Sequence, residues 1–206
     1  MKIRLAGLGK RYNQDWIFRN LNTELSSEYC TAILGPNGSG KSTLLSVLWN
    51  QLPPSEGTVE YLNDGTALDL EDVHKHISIA APYMELPEEF TLREMIEFHF
   101  SFKETIDQLN PKSLPASFGL EKFEHRILKE FSSGMKQRLK LGLALFSKVP
   151  ATFLDEPTTN LDQQGADWFK EILKQTKDRI LVIATNNHHD FPENSRVIKM
   201  TDYKPI

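Results

Sequence analysis

The sequence contains the octapeptide Gly35-Pro36-Asn37-Gly38-Ser39-Gly40-Lys41-Ser42, which matches the pattern G-x-x-x-x-G-K-S/T at every position. An apolar run ends at Leu34 just before it, and a pattern of leucines at helical spacing begins at Lys41. Glycines allow such a loop to curl so that its N–H groups point toward an anion, and the helix that follows presents its positive end to the same anion. The sequence therefore predicts a strand, a phosphate-binding loop and a helix, in that order.

Two side chains of the loop are predicted to contact a nucleoside triphosphate and its Mg²⁺ ion. Lys41 would place its charge between the β- and γ-phosphates, and Ser42 would offer its hydroxyl to the metal. A second acidic site, Asp155-Glu156, follows the short apolar run at residues 151–154. Because ligands bind at the carboxyl ends of parallel strands, we predict that Asp155 holds Mg²⁺ directly or through a water molecule. Glu156 is predicted to accept a proton from the attacking water.

The remaining patterns predict an α/β fold. Apolar runs predict strands at residues 2–8, 21–25, 29–34, 58–62, 77–80, 152–154 and 180–184. A helical pattern from about 162 to 175 separates the last two runs, and this spacing is typical of a parallel sheet with crossover helices. Aromatic-rich helical segments interrupted by prolines predict a small helical subdomain at about residues 83–133. The rest, about 1–82 and 134–206, is predicted to form the core of a single domain that spans residues 1–206.

The composition limits the compartment and the partners. The 206 residues carry a formal net charge of −4, so no overall basic field indicates nucleic acid as a partner. A single cysteine, Cys30, excludes an internal disulfide and fits a reducing compartment. No stretch approaches the ~20 apolar residues that cross a bilayer, and the first residues do not form a signal peptide. We therefore expect a cytoplasmic chain that reaches a membrane only through other polypeptides.

A further segment points to one family among proteins with such loops. Phe131-Ser132-Ser133-Gly134-Met135-Lys136-Gln137-Arg138 resembles the L-S-G-G-Q signature of ATP-binding-cassette (ABC) ATPases. The run Asp155-Glu156-Pro157-Thr158-Thr159-Asn160-Leu161-Asp162 resembles their Walker B motif and D-loop, and Tyr12 matches the aromatic residue that stacks on adenine. The resemblance covers essentially the whole chain. It implies a P-loop NTPase fold of ABC type, with a mostly parallel core sheet, an antiparallel N-terminal β part and an inserted helical subdomain.

The resemblance implies a function and a set of partners. In this family two cassettes pack head to tail and hold ATP with Mg²⁺ between the phosphate loop of one and the signature helix of the other. The leading hypothesis is therefore an ATPase subunit that drives an ABC membrane transporter from the inner face of the cell membrane. Its partners would be membrane-spanning subunits and a second cassette, in a homodimer or a heterodimer. The implied nucleotide-binding residues are Tyr12, Gly35, Pro36, Asn37, Gly38, Ser39, Gly40, Lys41, Ser42, Thr43, Ser132, Ser133 and Gly134.

Four positions depart from the family pattern. Ser133 replaces the first signature glycine, Met135 the signature glutamine, Pro82 the Q-loop glutamine and Asn186 the switch histidine. Ser133 keeps its backbone N–H, but Asn186 can only donate a hydrogen bond to the γ-phosphate and cannot take up a proton. We therefore predict ATP binding near family strength and slow hydrolysis unless a partner completes the site. The nearby run His188-His189-Asp190 is open to three interpretations: a shifted switch histidine, a metal site or, as we favour, a solvated loop.

Two alternatives to the leading hypothesis stay open. One is a non-catalytic, ATP-gated regulatory cassette, which the changes at Pro82 and Asn186 would suit. The other is a soluble ABC protein that is not involved in transport.

A set of large apolar side chains in the predicted subdomain has two interpretations. These residues line a cleft that receives a helix of the membrane protein, or, as we favour, they form the subdomain core. The set is Tyr83, Met84, Phe98, Phe100 and Phe102.

Overall fold

The computed structural model describes residues 1–204. The strands are β1 (Lys2–Tyr12), β2 (Asp15–Leu25), β3 (Thr31–Leu34), β4 (Glu56–Asn63), β5 (Thr66–Ala67), β6 (Ile77–Ala80), β7 (Ala151–Asp155), β8 (Ile180–Thr185) and β9 (Arg196–Lys199). The α-helices are α1 (Lys41–Leu48), α2 (Leu92–Phe102), α3 (Leu114–Ser117), α4 (Ser133–Leu145) and α5 (Gln163–Gln175). None of the helices in the described part of the chain is long and apolar enough to cross a membrane.

Four strands form an antiparallel sheet in the order β2-β1-β4-β5. β1 and β2 make a long hairpin whose turn contains Asn13 with a φ of 53°. Both strands extend beyond the predicted runs at residues 2–8 and 21–25. The added part of β1 is mostly polar and is stabilised by pairing with its neighbours, whereas that of β2 includes the buried Phe18, an apolar signal that the prediction missed. The pairing shifts register at several points between Leu5 and Arg11, which is the mark of β-bulges.

Five strands form the second sheet in the order β6-β7-β8-β3-β9. The pairs β7–β8, β8–β3 and β3–β9 are parallel. Every residue of β3, β7 and β8 is buried, which explains why these strands are largely apolar runs in the sequence. The parallel core sheet and the antiparallel N-terminal sheet confirm the predicted α/β class. The edge strand β9 was not predicted, because only Ile198 of its four residues is buried.

The chain divides into two compact units. The first comprises residues 1–78, 149–156 and the described residues from 177 onward, and it contains the antiparallel sheet, α1 and β7–β9. The second comprises residues 79–148 and 157–176, with α2 to α5. Its helix α2 starts in a capping box, in which the Thr91 side chain accepts from the Glu94 N–H and the Glu94 carboxylate accepts from the Thr91 N–H. The predicted subdomain limits of 83 and 133 stay a prediction.

The expectation that the large apolar side chains of the second unit form its core is wrong for four of the five. The exposed ones are Tyr83, Met84, Phe98 and Phe102, while Phe100 is half-buried. The core is built instead from residues such as Leu92, Phe118 and Leu139, which are fully buried. Phe98 and Phe102 stack edge to face with ring centroids 5.2 Å apart and form an apolar patch on α2. Exposed patches of this kind mark interaction surfaces more often than isolated apolar residues do.

Candidate active site

The loop between β3 and α1 has a backbone that depends on glycine. Gly40 precedes the helix with a φ of 98°, and a Cβ atom there would lie 2.4 Å from Cγ2 of Ile17. Gly38 has a φ of 75° with open space where its Cβ would be. The Ser39 N–H donates to the Pro36 carbonyl at 3.1 Å and closes the turn. Only glycine takes up these conformations without strain, so the sequence pattern specifies the loop geometry directly.

Helix α1 presents an N-terminus suited to an anion. No side chain within residues 1–204 caps it, and its first turn carries no acidic residue. The N–H groups of the first turn of a helix have no partner within the helix, and the helix dipole places partial positive charge there. A phosphate group would satisfy both requirements at this position.

Lys41 is held inside this loop. Its side chain is 5% exposed, and Nζ donates to the carbonyl of Gly35 at 2.9 Å and to that of Pro36 at 3.4 Å. Nζ also lies 3.1 Å from Oε1 of Glu156, so the predicted phosphate-binding cation and the predicted proton acceptor form an ion pair. These contacts fix the ammonium group next to the loop N–H groups.

Asp155 ends β7 as one of the most buried carboxylates of the chain, with an exposed fraction of 1%. Burial raises the pKa of this carboxyl, the hydrogen bond from the Ser42 hydroxyl opposes the rise, and the negative charge of Glu156 adds to it. Its Oδ1 atom has no hydrogen-bond partner in the described chain. A buried carboxylate oxygen without a partner is costly, and a Mg²⁺ ion prefers oxygen ligands of this kind. The pair of Asp155 and Ser42 therefore fits a magnesium ion.

Glu156 occupies a strained backbone position. Its φ is 45°, in the left-handed region that residues other than glycine rarely adopt. Its N–H still donates to the Ala184 carbonyl at 2.8 Å, which continues the ladder between β7 and β8 by one bond while the chain turns away. The carboxylate remains partly accessible, with 21% of the side chain exposed. Strained residues of this kind cluster at functional sites.

The loop after β8 brings Asn186 to the phosphate loop. The Asn186 amide donates to Oδ1 of Asn37 at 3.2 Å. The buried Asp190 holds this loop in shape, because its carboxylate accepts from the Thr185 hydroxyl at 2.5 Å and from the Asn187 amide at 3.1 Å. The side chains of His188 and His189 are exposed. Within residues 1–204, no group of three or more His, Cys, Asp or Glu residues is placed to hold a metal ion.

The implied adenine-stacking residue Tyr12 belongs to the first unit, and the signature residues belong to the second. Tyr12 closes the β1–β2 hairpin with 47% of its surface exposed, and Nζ of Lys10 lies 5.5 Å from its ring centroid. In the second unit, Ser132 caps α4 by accepting from the Met135 N–H at 3.2 Å. A Cβ on Gly134 would lie 2.7 Å from the Asn160 carbonyl oxygen. A cavity of about 380 Å³ opens here, and the signature and D-loop residues lining it include Ser132, Ser133, Gly134, Asn160 and Asp162.

Some residues of these sites were not predicted from the sequence. Gln137, within the signature segment, is 4% exposed, and its amide donates to the Pro157 carbonyl at 2.9 Å. It lies four residues before the buried Leu141 on α4, and a polar residue on an apolar helix face is the signal that could have identified it. Asn37 was predicted as a loop residue, but its side-chain bond to Asn186 joins residues 149 positions apart and leaves no sequence signal.

Comparisons with known proteins agree with this geometry. A family model described as ABC transporter matches residues 18–159. The lantibiotic transport ATP-binding protein SrtF of Streptococcus pyogenes is 29% identical over 191 residues, which cover 90% of this chain and 80% of that protein. The Nod factor export ATP-binding protein I of Rhizobium johnstonii is 31% identical over 191 residues, which cover 90% of this chain and 61% of that protein.

Solved structures share the fold. A putative ABC transporter ATP-binding protein from Pyrococcus furiosus superposes with a TM-score of 0.83 at 18% identity, and each chain is covered completely. The dimeric bacterial cassette MJ0796 superposes with a TM-score of 0.78 at 23% identity, with 96% of this chain and 94% of that chain covered. These matches confirm the P-loop fold of ABC type that the motifs predicted. Because the family model spans more than half of this chain, the chain belongs to the ABC transporter family, as one of its ATP-binding cassettes.

Proposed function

We propose that the chain binds and hydrolyses ATP with Mg²⁺ as the ATPase subunit of an ABC membrane transporter. The observation that carries the proposal is the meeting of Lys41, Asp155 and Glu156 at the carboxyl ends of β3 and β7. A phosphate-binding cation, a magnesium ligand and a proton acceptor are the three groups that phosphoryl transfer to water requires. The family match supports nucleotide hydrolysis in general, and the assignment to these side chains rests on their chemistry.

Each residue of the site has a distinct proposed role in binding or hydrolysis. The N–H groups of the loop from Gly35 to Ser42 bind the phosphate chain, and Lys41 orients the terminal phosphate. Ser42 and Asp155 would hold Mg²⁺, which on binding neutralises charge on the phosphate oxygens. Glu156 accepts a proton from the attacking water, a contribution of typically 10²- to 10⁴-fold to the rate. Tyr12 offers an exposed ring on which an adenine can stack.

Asn186 sets the rate of this proposed reaction below that of a cassette with a histidine. Its amide donates to the side chain of Asn37, next to the bound γ-phosphate in the proposed complex. An amide donates a hydrogen bond but does not exchange a proton near neutral pH. Pro82 provides no side-chain acceptor at the Q-loop position. We therefore expect slow turnover by the isolated chain and faster turnover in the assembled transporter.

The proposed assembly contains two cassettes and membrane-spanning subunits. The named relatives are a lantibiotic transport protein and a Nod factor export protein, and one structural neighbour is a dimeric cassette. These support a head-to-tail dimer in which Ser132, Ser133 and Gly134 of one cassette contact the ATP held by the other. The N-terminus of α4 supplies N–H groups for that contact, as α1 does in the first unit. The assembly would place the chain on the inner face of the membrane.

Steady-state ATP hydrolysis by the purified chain tests the proposal, with Glu156→Gln and Lys41→Ala as variants. We expect measurable turnover that falls by at least about 100-fold in Glu156→Gln while ATP binding persists. In Lys41→Ala both binding and turnover should be lost. Intact ATP binding without any turnover, alone and with added membrane subunits, would instead identify a regulatory cassette gated by ATP.

A further inference from the structure

Two lysines of α4 contact the same stretch of chain. Lys136 and Lys140 are four residues apart on the helix and therefore project from one face. Nζ of Lys140 donates to the Pro82 carbonyl at 2.9 Å and lies 3.4 Å from the Ala81 carbonyl oxygen. Nζ of Lys136 lies 2.7 Å from Oε1 of Glu88. The two lysines thus contact both ends of residues 81–88, a segment here called the strap.

The strap has little structure of its own. It contains neither helix nor strand, and Pro82 and Pro87 have no N–H to donate. The Met84 N–H donates to the Ala81 carbonyl at 3.2 Å and so closes a turn. Nζ of Lys140 lies near the same carbonyl oxygen. Met84 itself is 40% exposed. A segment of this composition is expected to be mobile unless other residues restrain it.

A groove of about 690 Å³ lies between the strap and α4. Its walls are made by strap residues such as Met84, Glu85 and Leu86 on one side and by Lys136 and Lys140 on the other. The two lysines therefore form one wall of the groove and also hold the opposite wall in place.

The two contacts differ in strength. Burial lowers the pKa of the Lys140 ammonium group, the charge of Lys136 adds to this effect, and the negative charge of Glu85 opposes it. The hydrogen bonds of Lys140 to carbonyls in a half-buried position are charge-assisted bonds, which are the stronger kind. The pair of Lys136 and Glu88 is more exposed, with 28% and 51% of the side chains accessible, so solvent and salt weaken it. Lys140 is therefore the stronger of the two lysine contacts and Lys136 the weaker, and at the Glu88 end the Lys129 N–H also donates to the Glu88 carbonyl at 3.0 Å.

We propose that Lys140, with Lys136, is a positioning residue that fixes the strap to α4, so that the groove and the signature residues move together. Ser132 and Gly134 lie at the N-terminus of the same helix. A helix transmits displacement along its length as a stiff body, so a change at the groove reaches the signature directly. The link to nucleotide rests on the proposed function, whereas the restraint of the strap does not.

Amide hydrogen exchange on the purified full-length chain without nucleotide tests the restraint. The reporter is the Met84 amide, with the variants Lys140→Met, Lys140→Arg and Lys136→Met. We expect exchange to accelerate about tenfold in Lys140→Met, to change less in Lys136→Met, and to recover in Lys140→Arg, which can still donate to both carbonyls. Lys148→Met is the matched control, because Nζ of Lys148 forms an exposed ion pair with Glu104 at 2.8 Å. Unchanged exchange in a folded Lys140→Met protein would overturn the proposal.

The coupling to the signature is tested in the Glu156→Gln background with ATP. We expect ATP to protect the amides of residues 133–136 and the strap together, and Lys140→Met to remove the protection of the strap alone. Protection of the signature without the strap in the parent chain would overturn the coupling. If ATP protects neither the signature amides nor the strap, the result contradicts the proposed cassette dimer. The exchange measured without nucleotide then still decides whether Lys140 restrains the strap.

Discussion

Nζ of Lys41 lies 3.1 Å from Oε1 of Glu156, and both groups are largely shielded from solvent. A buried charge that loses its partner destabilises a protein more than the loss of both partners does. We therefore expect Lys41→Met to lower the free energy of unfolding by about 2 kcal/mol, because Glu156 loses its counter-charge and two loop carbonyls lose a donor. Denaturant unfolding measures this loss. The double variant with Glu156→Gln should cost less than the sum of the single changes, and strict additivity would show that the two groups do not interact.

Asp155 should make stability depend on pH in a defined direction. Burial raises the pKa of its carboxyl above the value of 3.8 that applies to the unfolded chain. The native state therefore holds this proton more tightly, so the contribution of the group to stability is fully present below pH 3.8 and is lost as the pH rises through the folded pKa. Asp155→Asn should accordingly raise the free energy of unfolding by about 1 kcal/mol at pH 7.

Unfolding of both proteins at two pH values checks this expectation. The gain should disappear near pH 4, and an equal gain at both pH values would contradict the assignment. Added Mg²⁺ should stabilise the wild-type chain and leave Asp155→Asn unchanged, since the ion needs the carboxylate oxygen that has no partner in the described chain.

Asn186→His should speed ATP hydrolysis. A histidine in place of the amide that faces Asn37 can exchange a proton near neutral pH, and such groups contribute strongly to proton transfer. We expect the steady-state rate to rise at least about tenfold and to depend on pH around the usual histidine pKa of about 6.5. His188→Ala and His189→Ala serve as controls and should leave the rate as it is. A fall in either control would indicate that one of these exposed histidines takes the missing role.

Gly134→Ala should damage the signature end of α4. The added Cβ would lie 2.7 Å from the Asn160 carbonyl oxygen, and that residue is itself in a left-handed turn with a φ of 67°. Neither backbone can move aside freely, so we expect a loss of 1–3 kcal/mol, as is typical of overpacking. Ser133→Ala is the matched control, since Ser133 is exposed and keeps its N–H.

The functional readout for this pair is ATP-driven association of the chain in the Glu156→Gln background, measured by size exclusion. Association should weaken in Gly134→Ala and persist in Ser133→Ala. Equal association in both variants would argue that the close approach to Asn160 is unimportant for the dimer.

Much of the core and of the site chemistry follows from local sequence. The phosphate loop is predictable because glycines with positive φ and a following helix leave few other structures for the segment from Gly35 to Ser42. The buried strands β3, β7 and β8 are predictable because parallel strands covered on both faces are near-continuous apolar runs. Helix α2 is predictable from its capping box, which is formed by Thr91 and Glu94.

Other features depend on contacts that are distant in sequence. The extension of β1 at residues 9–12 is mostly polar and forms by pairing with β2 and β4. Strand β9 pairs at an edge of the parallel sheet and buries one residue, so it leaves almost no periodic signal. The bonds of Asn186 to Asn37 and of Lys140 to Pro82 use common polar residues whose partners only the fold selects.

The φ of 45° at Glu156 has a consequence for engineering. A residue with a side chain in this conformation costs on the order of 1–3 kcal/mol, and glycine would remove most of that strain. Glu156→Gly would therefore relieve strain, but it would also leave the buried ammonium group of Lys41 without its counter-charge and delete the proposed proton acceptor. The two effects on stability oppose each other, so this position offers no simple route to a more heat-resistant cassette. A stabilised but active cassette must draw its improvement from positions outside the proposed hydrolytic site.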